Sequence, residues 1–226
     1  MAYKSFYYLQ IPKTGSKYFI GNIYWPLAEE LKKHNINLIN MWDQNSKPSI
    51  TGWDPRIDDQ TYVVSTFRDP VRQVISKHCN QFKISDQPES KYYLNELPNK
   101  EDFFLNVDKY YNNMSKYFST HSTENDKDIF QSTTINVDSA VRQSKRVNKF
   151  ILESTNPWGT IREILIDMDL PVPDYLKKDM FRQKVNVNNS SRLLYESLTI
   201  EEIEEIRSNS EVDGAIYDYI RDYRDS

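Results

Sequence analysis

Two short polar segments, each directly after an apolar run, combine residue types that bind phosphate or sulfate groups. The first contains, in order, Lys13, Thr14, Gly15, Ser16 and Lys17. A glycine in a strand-to-helix turn lets backbone N–H groups converge, and the amino end of the helix adds partial positive charge. Two hydroxyls and two ammonium groups complete a cradle for an anion. The segment departs from the Walker A pattern, which needs a second glycine followed by the lysine.

The second segment runs from Arg68 to Ser76. An arginine that leaves the carboxyl end of a buried strand, with a hydroxyl two helical turns further on, can hold a second phosphate. Either segment alone also has an ordinary structural interpretation, as exposed lysines at a turn or as an ion pair at a strand end. Their occurrence together, in the same structural context, favours a ligand with two anionic groups.

The apolar pattern around these segments predicts alternating strands and helices. The predicted strands are 5–11, 36–42, 62–67 and 150–152, and the predicted helices include 18–33, 70–82, 157–168 and two C-terminal helices. Pro26 should kink or divide the first helix, whereas Asp69 and Pro70 should begin the second. Thr199 and Glu202 form a capping-box pattern. The order predicts a P-loop-like three-layer α/β fold, with a central parallel sheet flanked by helices. Both polar segments then lie at the carboxyl ends of strands, where such sheets bind ligands.

The length of 226 residues predicts one domain, 1–226, that carries an insertion. Residues 83–140 are polar and rich in Asn, Ser and Thr, apart from an aromatic helical stretch near 102–118, so we interpret them as an insertion on the domain and not as a second core.

Composition excludes several classes of protein. The chain is 38% hydrophobic and 13% aromatic, which is too apolar for a disordered protein, and it has no run long enough to span a membrane. A net charge of −4 and the lack of a basic-aromatic stripe argue against nucleic-acid binding. Cys79 is the single cysteine, so no internal disulfide forms and a reducing compartment is expected.

Both polar segments match a known pair of motifs. YLQIPKTGSKYF resembles the 5′-phosphosulfate loop of sulfotransferases that use 3′-phosphoadenosine 5′-phosphosulfate (PAPS), and VVSTFRDPVRQVISKH resembles their 3′-phosphate motif. The Lys-Thr-Gly and Arg-Asp-Pro variants are nearest the carbohydrate (glycosaminoglycan-type) branch, and the spacing from Arg68 to Ser76 is the family's spacing. Weaker similarity continues in FILESTNPWGTIREILIDMDLP, in KVNVNNSS and in the C-terminal helices, but not in 83–140.

The resemblance implies transfer of a sulfuryl group from PAPS to a hydroxyl or amine of a small-molecule or carbohydrate acceptor. Lys13 would contact the oxygen that bridges phosphate and sulfate and stabilise the charge that develops there. The neighbouring Thr14, Gly15, Ser16 and Lys17 would hold the 5′ end, and Arg68 and Ser76 the 3′-phosphate. Arg182 and Lys184 match more loosely as further cofactor contacts. No metal is required, and the histidines show no ligand spacing.

The general base is where the sequence departs from the family. Trp53 occupies the position of the usual catalytic histidine, so Asp54 is the first candidate to accept the acceptor's proton and Asp43 the second. An Asp before Pro55 also commonly initiates a turn. Trp53 is a candidate for stacking on an acceptor, and His78 falls where the family carries tyrosine.

Two alternatives stay open. A P-loop nucleotide or nucleoside kinase shares the strand–loop–helix cradle, and a nucleotide-binding module that has lost catalysis would explain the replaced histidine. Family members in animals often carry membrane anchors. Because this sequence shows none, we expect a cytoplasmic protein, either bacterial or in the host cell of a virus.

Overall fold

A computed structural model describes residues 3–11, 14–39, 53–54, 56–81, 99–119, 135–152, 156–177 and 189–224. Within them, one sheet contains the strands β1 (Ser5–Leu9), β2 (Asn37–Leu38), β3 (Thr61–Thr66) and β4 (Lys149–Ile151). The strands are ordered β2-β1-β3-β4 and every pairing is parallel. The predicted parallel α/β sheet is therefore confirmed; the P-loop-like relationship stays a prediction.

Helices surround the sheet. They are α1 (Ser16–Phe19), α2 (Trp25–Lys33), α3 (Pro70–Gln81), α4 (Lys100–Asn106), α5 (Asn113–Ser119), α6 (Val137–Ser144), α7 (Pro157–Asp167), α8 (Asn189–Ser197), α9 (Ile200–Asn209) and α10 (Glu211–Arg224). Short 3₁₀ turns occupy Val107–Tyr110 and Asp174–Lys177. The predicted capping box is present, because the side chains of Thr199 and Glu202 each accept from the other's backbone N–H.

A π-helical segment, Ile20–Tyr24, joins α1 to α2 just before Pro26. Within it the N–H of Trp25 donates to the carbonyl of Ile20, five residues back. Proline has no N–H, and its ring crowds the carbonyl four residues earlier in an α-helix. The wide turn places Pro26 in the first turn of α2, where a missing N–H is tolerated, so the predicted division of this helix occurs as a π segment.

Apolar layers cover the two faces of the sheet, because successive strand side chains point to opposite sides. One layer packs α1, α2 and α7 against Phe6, Tyr8, Tyr62 and Val64. The opposite layer packs α5, α6 and α10 against Tyr7, Leu9, Val63 and Phe67. A third cluster joins α3 to α4, α8 and α9.

The chain connections that follow β1 and β3 cross opposite faces of the sheet. The connection from β1 to β2 passes through α1 and α2 on one face, whereas the connection from β3 to β4 passes through α5 and α6 on the other. Such a reversal leaves a crevice outside the carboxyl ends of the two central strands, where ligands bind in open α/β sheets.

Part of the predicted insertion belongs to the core. Phe103 and Val107 are buried against α3, while Met114, Tyr117 and Phe118 lie in the same apolar layer as strand β3. Residues 99–119 thus add side chains to the apolar clusters of the one domain, and the interpretation of 83–140 as an insertion stays a prediction. The apolar positions of these short helices complete layers that the strands alone leave uncovered.

Candidate functional site

The first polar segment forms the predicted strand-to-helix turn at the carboxyl end of β1. Gly15 has φ +92, a left-handed conformation that L side chains rarely adopt. Its carbonyl accepts from the N–H of Phe19 at 3.0 Å, which begins α1. Backbone geometry therefore favours glycine at this position. Lys13 and the side chains of Ser16 and Lys17 lie outside the described residues.

The second polar segment begins α3 as predicted. The carboxylate of Asp69 accepts from the N–H of Arg72 at 3.0 Å, and Pro70 is the first helical residue. Arg68 is half-buried between the end of β3 and this cap, and Ser76 is buried in α3. The amino end of α3 thus starts at the carboxyl edge of the sheet, as does that of α1, and the strands that lead to them are adjacent.

A hydroxyl contact connects the two segments. The Oγ1 atoms of Thr14 and Thr66 lie 2.7 Å apart, and Thr66 precedes Arg68 by two residues. Thr14 Oγ1 also donates to the carbonyl of Ile11 at 2.7 Å, and Thr66 Oγ1 lies 3.0 Å from the hydroxyl of Tyr8. The hydroxyl of Thr14 is therefore engaged within the protein. Its single hydrogen is therefore not free for a ligand, and the predicted contact of Thr14 with an anion then depends on its backbone N–H and stays a prediction.

Thr66 and its neighbour Ser65 are residues that the sequence analysis missed. Ser65 Oγ donates to the carbonyl of Leu9 at 2.9 Å and Thr66 Oγ1 contacts the hydroxyl of Tyr8, so both hydroxyls fasten β3 to β1. The signal was a Ser-Thr pair at the carboxyl end of an otherwise apolar buried strand. In such a strand a polar side chain needs a hydrogen-bond partner.

Asp54 is buried and paired with Arg56. Its carboxylate accepts from the backbone N–H, Nε and Nη2 of Arg56 at 2.8, 3.0 and 2.7 Å. Burial opposes ionisation of Asp54, but the hydrogen bonds and charge of Arg56 outweigh it and hold the pKa of the carboxyl below its usual value. Burial, with the charge of Asp54, raises the pKa of the Tyr7 hydroxyl. A carboxylate held this way is a poor proton acceptor, and we interpret Asp54 as a structural counter-ion.

Two aromatic candidates lie in the core. Trp53 is 4% exposed, and the guanidinium of Arg146 lies 4.7 Å from its ring centroid, so its predicted stacking on an acceptor is corrected. His78 is buried with its ring 5.1 Å from Phe103 and 5.9 Å from Tyr110, and burial lowers its pKa. The imidazole is therefore part of the packing between α3 and α4.

Three further predicted residues, Asp43, Arg182 and Lys184, lie outside the described residues. Among the residues that the structure describes, no helix combines the length and apolar character needed to cross a membrane. In the same part of the chain, no three His, Cys, Asp or Glu side chains lie close enough to hold a metal ion.

No protein-family model, curated protein or solved structure matches this chain. Its function must therefore be inferred from the residues at the sheet edge and their geometry.

Proposed function

We propose that this chain is a sulfotransferase that moves a sulfuryl group from PAPS to a hydroxyl or amine, with a carbohydrate as the expected acceptor. The observation that supports it best is the placement of the two polar segments. They leave the adjacent strands β1 and β3 at the edge where the crossovers diverge, and each begins a helix there.

This geometry suits a ligand with two separated anionic groups. The amino ends of α1 and α3 both start at the carboxyl edge, and each presents backbone N–H groups and partial positive charge. Arg68 adds a formal charge beside the second helix. PAPS carries its phosphosulfate and its 3′-phosphate on opposite sides of one ribose, whereas ATP carries a single polyphosphate chain.

In the proposed reaction the acceptor oxygen or nitrogen attacks sulfur. The bond from sulfur to the bridging oxygen breaks, which leaves adenosine 3′,5′-bisphosphate and the sulfated acceptor. Lys13 would stabilise the negative charge that develops on the departing phosphate. The acceptor's proton needs a base; because Asp54 is held by Arg56, Asp43 is the carboxylate that the sequence analysis leaves for this role.

Nucleotide selectivity tests the donor site. Adenosine 3′,5′-bisphosphate should raise the melting temperature more than ATP, ADP or AMP at equal concentration. A ligand that binds only the folded state, at one hundred times its Kd, adds about 2.7 kcal/mol to the free energy of unfolding. Arg68→Ala should abolish the preference. Arg142→Ala is the matched control, because this exposed arginine lies on α6 near the amino end of β4.

A larger stabilisation by ATP with Mg²⁺ would favour the kinase alternative. Stabilisation by the bisphosphate without turnover, across a broad panel of acceptors, would favour the inactive binding module. If no nucleotide stabilises the wild type, the proposed donor site is wrong.

Lys13→Ala tests the catalytic role. Turnover of radiolabelled PAPS should fall about a hundredfold or more, while affinity for the bisphosphate changes little, because the ammonium acts on charge that develops during transfer. Lys145→Ala, an exposed lysine at the end of α6, is the control. Unchanged turnover in Lys13→Ala would remove Lys13 from the mechanism.

A further inference from the structure

We infer that Tyr8 and Thr66 are positioning residues. Their buried hydroxyls fix the loop of the first polar segment relative to Arg68, so that the distance between the two proposed anion sites stays constant. The inference rests on the proposed function for the identity of the ligand. The hydrogen-bond geometry that carries it is independent of that function.

The hydrogen bonds have a defined direction. A hydroxyl carries one hydrogen, and that of Thr14 goes to the carbonyl of Ile11, which can only accept. Thr66 must therefore be the donor in its contact with Thr14, and Tyr8 the donor in its contact with Thr66. The relay runs from Tyr8 through Thr66 and Thr14 to Ile11.

The three hydroxyl groups of the relay are buried. Tyr8 is 0% exposed, and Thr66 and Thr14 are each 2% exposed. Water is thus excluded from these hydroxyls, and loss of one member leaves its partner unsatisfied in a medium of low dielectric constant.

Thr66 connects the two polar segments through its hydrogen bond to Thr14. Without its hydroxyl, Thr14 still bonds Ile11 within its own loop, but this side-chain attachment of the loop to β3 is lost. Because Arg68 continues from β3, the loop would then shift independently of Arg68. We expect a ligand that spans both sites to lose affinity, while a ligand that uses only the Arg68 side is little affected.

Conservative variants separate this role from general destabilisation. Thr66→Val removes the hydroxyl and keeps the shape, Thr66→Ser keeps the hydroxyl, and Tyr8→Phe removes the first donor. Ser65→Ala is the matched control. Its hydroxyl is 0% exposed and also joins β3 to β1, but it bonds the strand carbonyl of Leu9 and not the loop.

Isothermal titration with adenosine 3′,5′-bisphosphate, AMP and 3′-AMP measures the effect. Thr66→Val should weaken the bisphosphate about tenfold, roughly the contribution of one hydrogen bond, and change AMP and 3′-AMP, which each reach only one of the two sites, less than about twofold. Tyr8→Phe should weaken the bisphosphate by a smaller factor. Thr66→Ser and Ser65→Ala should match the wild type. Equal weakening of all three nucleotides by Thr66→Val would overturn the positioning role.

Amide hydrogen exchange tests the relay without any ligand. Exchange across residues 14–19 should be faster in Thr66→Val than in wild type and unchanged in Ser65→Ala. Unchanged exchange in Thr66→Val overturns the inference, whether or not nucleotides bind. Faster exchange in a protein that binds no nucleotide supports the relay and contradicts the proposed function instead.

Discussion

The side chains of Asn112 and Asp213 form a reciprocal cap: Asn112 caps α10, which contains Asp213, and Asp213 caps α5, which begins directly after Asn112. Asn112 Oδ1 accepts from the N–H of Asp213 at 3.1 Å, at the start of α10. The carboxylate of Asp213 accepts from the N–H groups of Met114 and Ser115 at 3.1 and 2.7 Å, at the start of α5. Both helices pack against Phe67 at the end of β3. The reciprocal cap therefore holds the layer that supports the carboxyl edge of the sheet.

Asp213 should make stability depend on pH. Burial raises the pKa of its carboxyl from 3.8 to about 6, against the opposing hydrogen bonds and the charge of Lys116. A pKa raised in the folded state gives stability that is complete below the unfolded pKa and is lost as pH rises through the folded pKa. Asp213→Asn removes this titration. We expect the free energy of unfolding of wild type, relative to the variant, to fall by up to about 3 kcal/mol between pH 4 and 7.

Urea unfolding at several pH values measures this difference, and Asn112→Ala is its control. That variant removes the uncharged half of the reciprocal cap, so it should cost about 1 kcal/mol at every pH. A difference between wild type and Asp213→Asn that stays constant from pH 4 to 7 would contradict the raised pKa.

Substitution by alanine should change the stability of the protein in opposite directions at two glycines. An added Cβ meets nothing within 4 Å at Gly15 or at Gly214, so sterics do not separate them. Gly15 has φ +92, and alanine there should cost about 1–2 kcal/mol of backbone strain. Gly214 lies within α10, where alanine should add about 0.5–1 kcal/mol of stability.

Chemical denaturation of the two single variants checks these signs. Destabilisation by Gly214→Ala would show that the backbone of α10 departs from regular helix there. A neutral Gly15→Ala would show that the loop relaxes to a conformation other than the one at φ +92.

The sequence predicted most of the elements at the sheet edge. Strand β3 and the cap at Asp69 combine local signals, an apolar β-branched run and an Asp-Pro pair, and both lie where predicted. The glycine of the first loop was also predicted from its place between a strand and a helix. Such features are determined by residues close in the chain, which a sequence pattern records directly.

Long-range pairings were not predictable in the same way. The hydrogen bond between Thr14 and Thr66 joins residues that are 52 positions apart in the chain and that meet only once β1 and β3 pair. The packing of Phe118 on Phe67 likewise depends on how the chain returns to the sheet after 99–119. The helical stretch at 102–118 could be predicted from its local pattern, whereas its packing against the sheet could not.

The pairing of Asp54 with Arg56 gives the last prediction. Asp54 is 1% exposed, whereas the Arg56 side chain is 57% exposed, so water screens part of their attraction. Asp54→Asn should therefore lower the free energy of unfolding by about 1–2 kcal/mol, mainly through weakened hydrogen bonds. Because the folded pKa of Asp54 is lowered, its contribution is present above the unfolded pKa of about 3.8 and is lost as pH falls through the folded pKa. Asp54→Asn should not show this loss of stability as the pH falls.

Urea unfolding between pH 2.5 and 7, together with turnover at pH 7, separates a structural Asp54 from a catalytic one. A general base contributes roughly 10²–10⁴-fold to rate, because it accepts the proton in the transition state. A counter-ion contributes to stability and leaves turnover of the folded protein within a few-fold of wild type. If Asp54→Asn kept its stability and lost turnover a hundredfold, Arg56 would be the group that orients a catalytic carboxylate. The ion pair at the end of β2, where Arg56 also donates to the carbonyl of Ile39 at 2.9 Å, would then belong to the acceptor site.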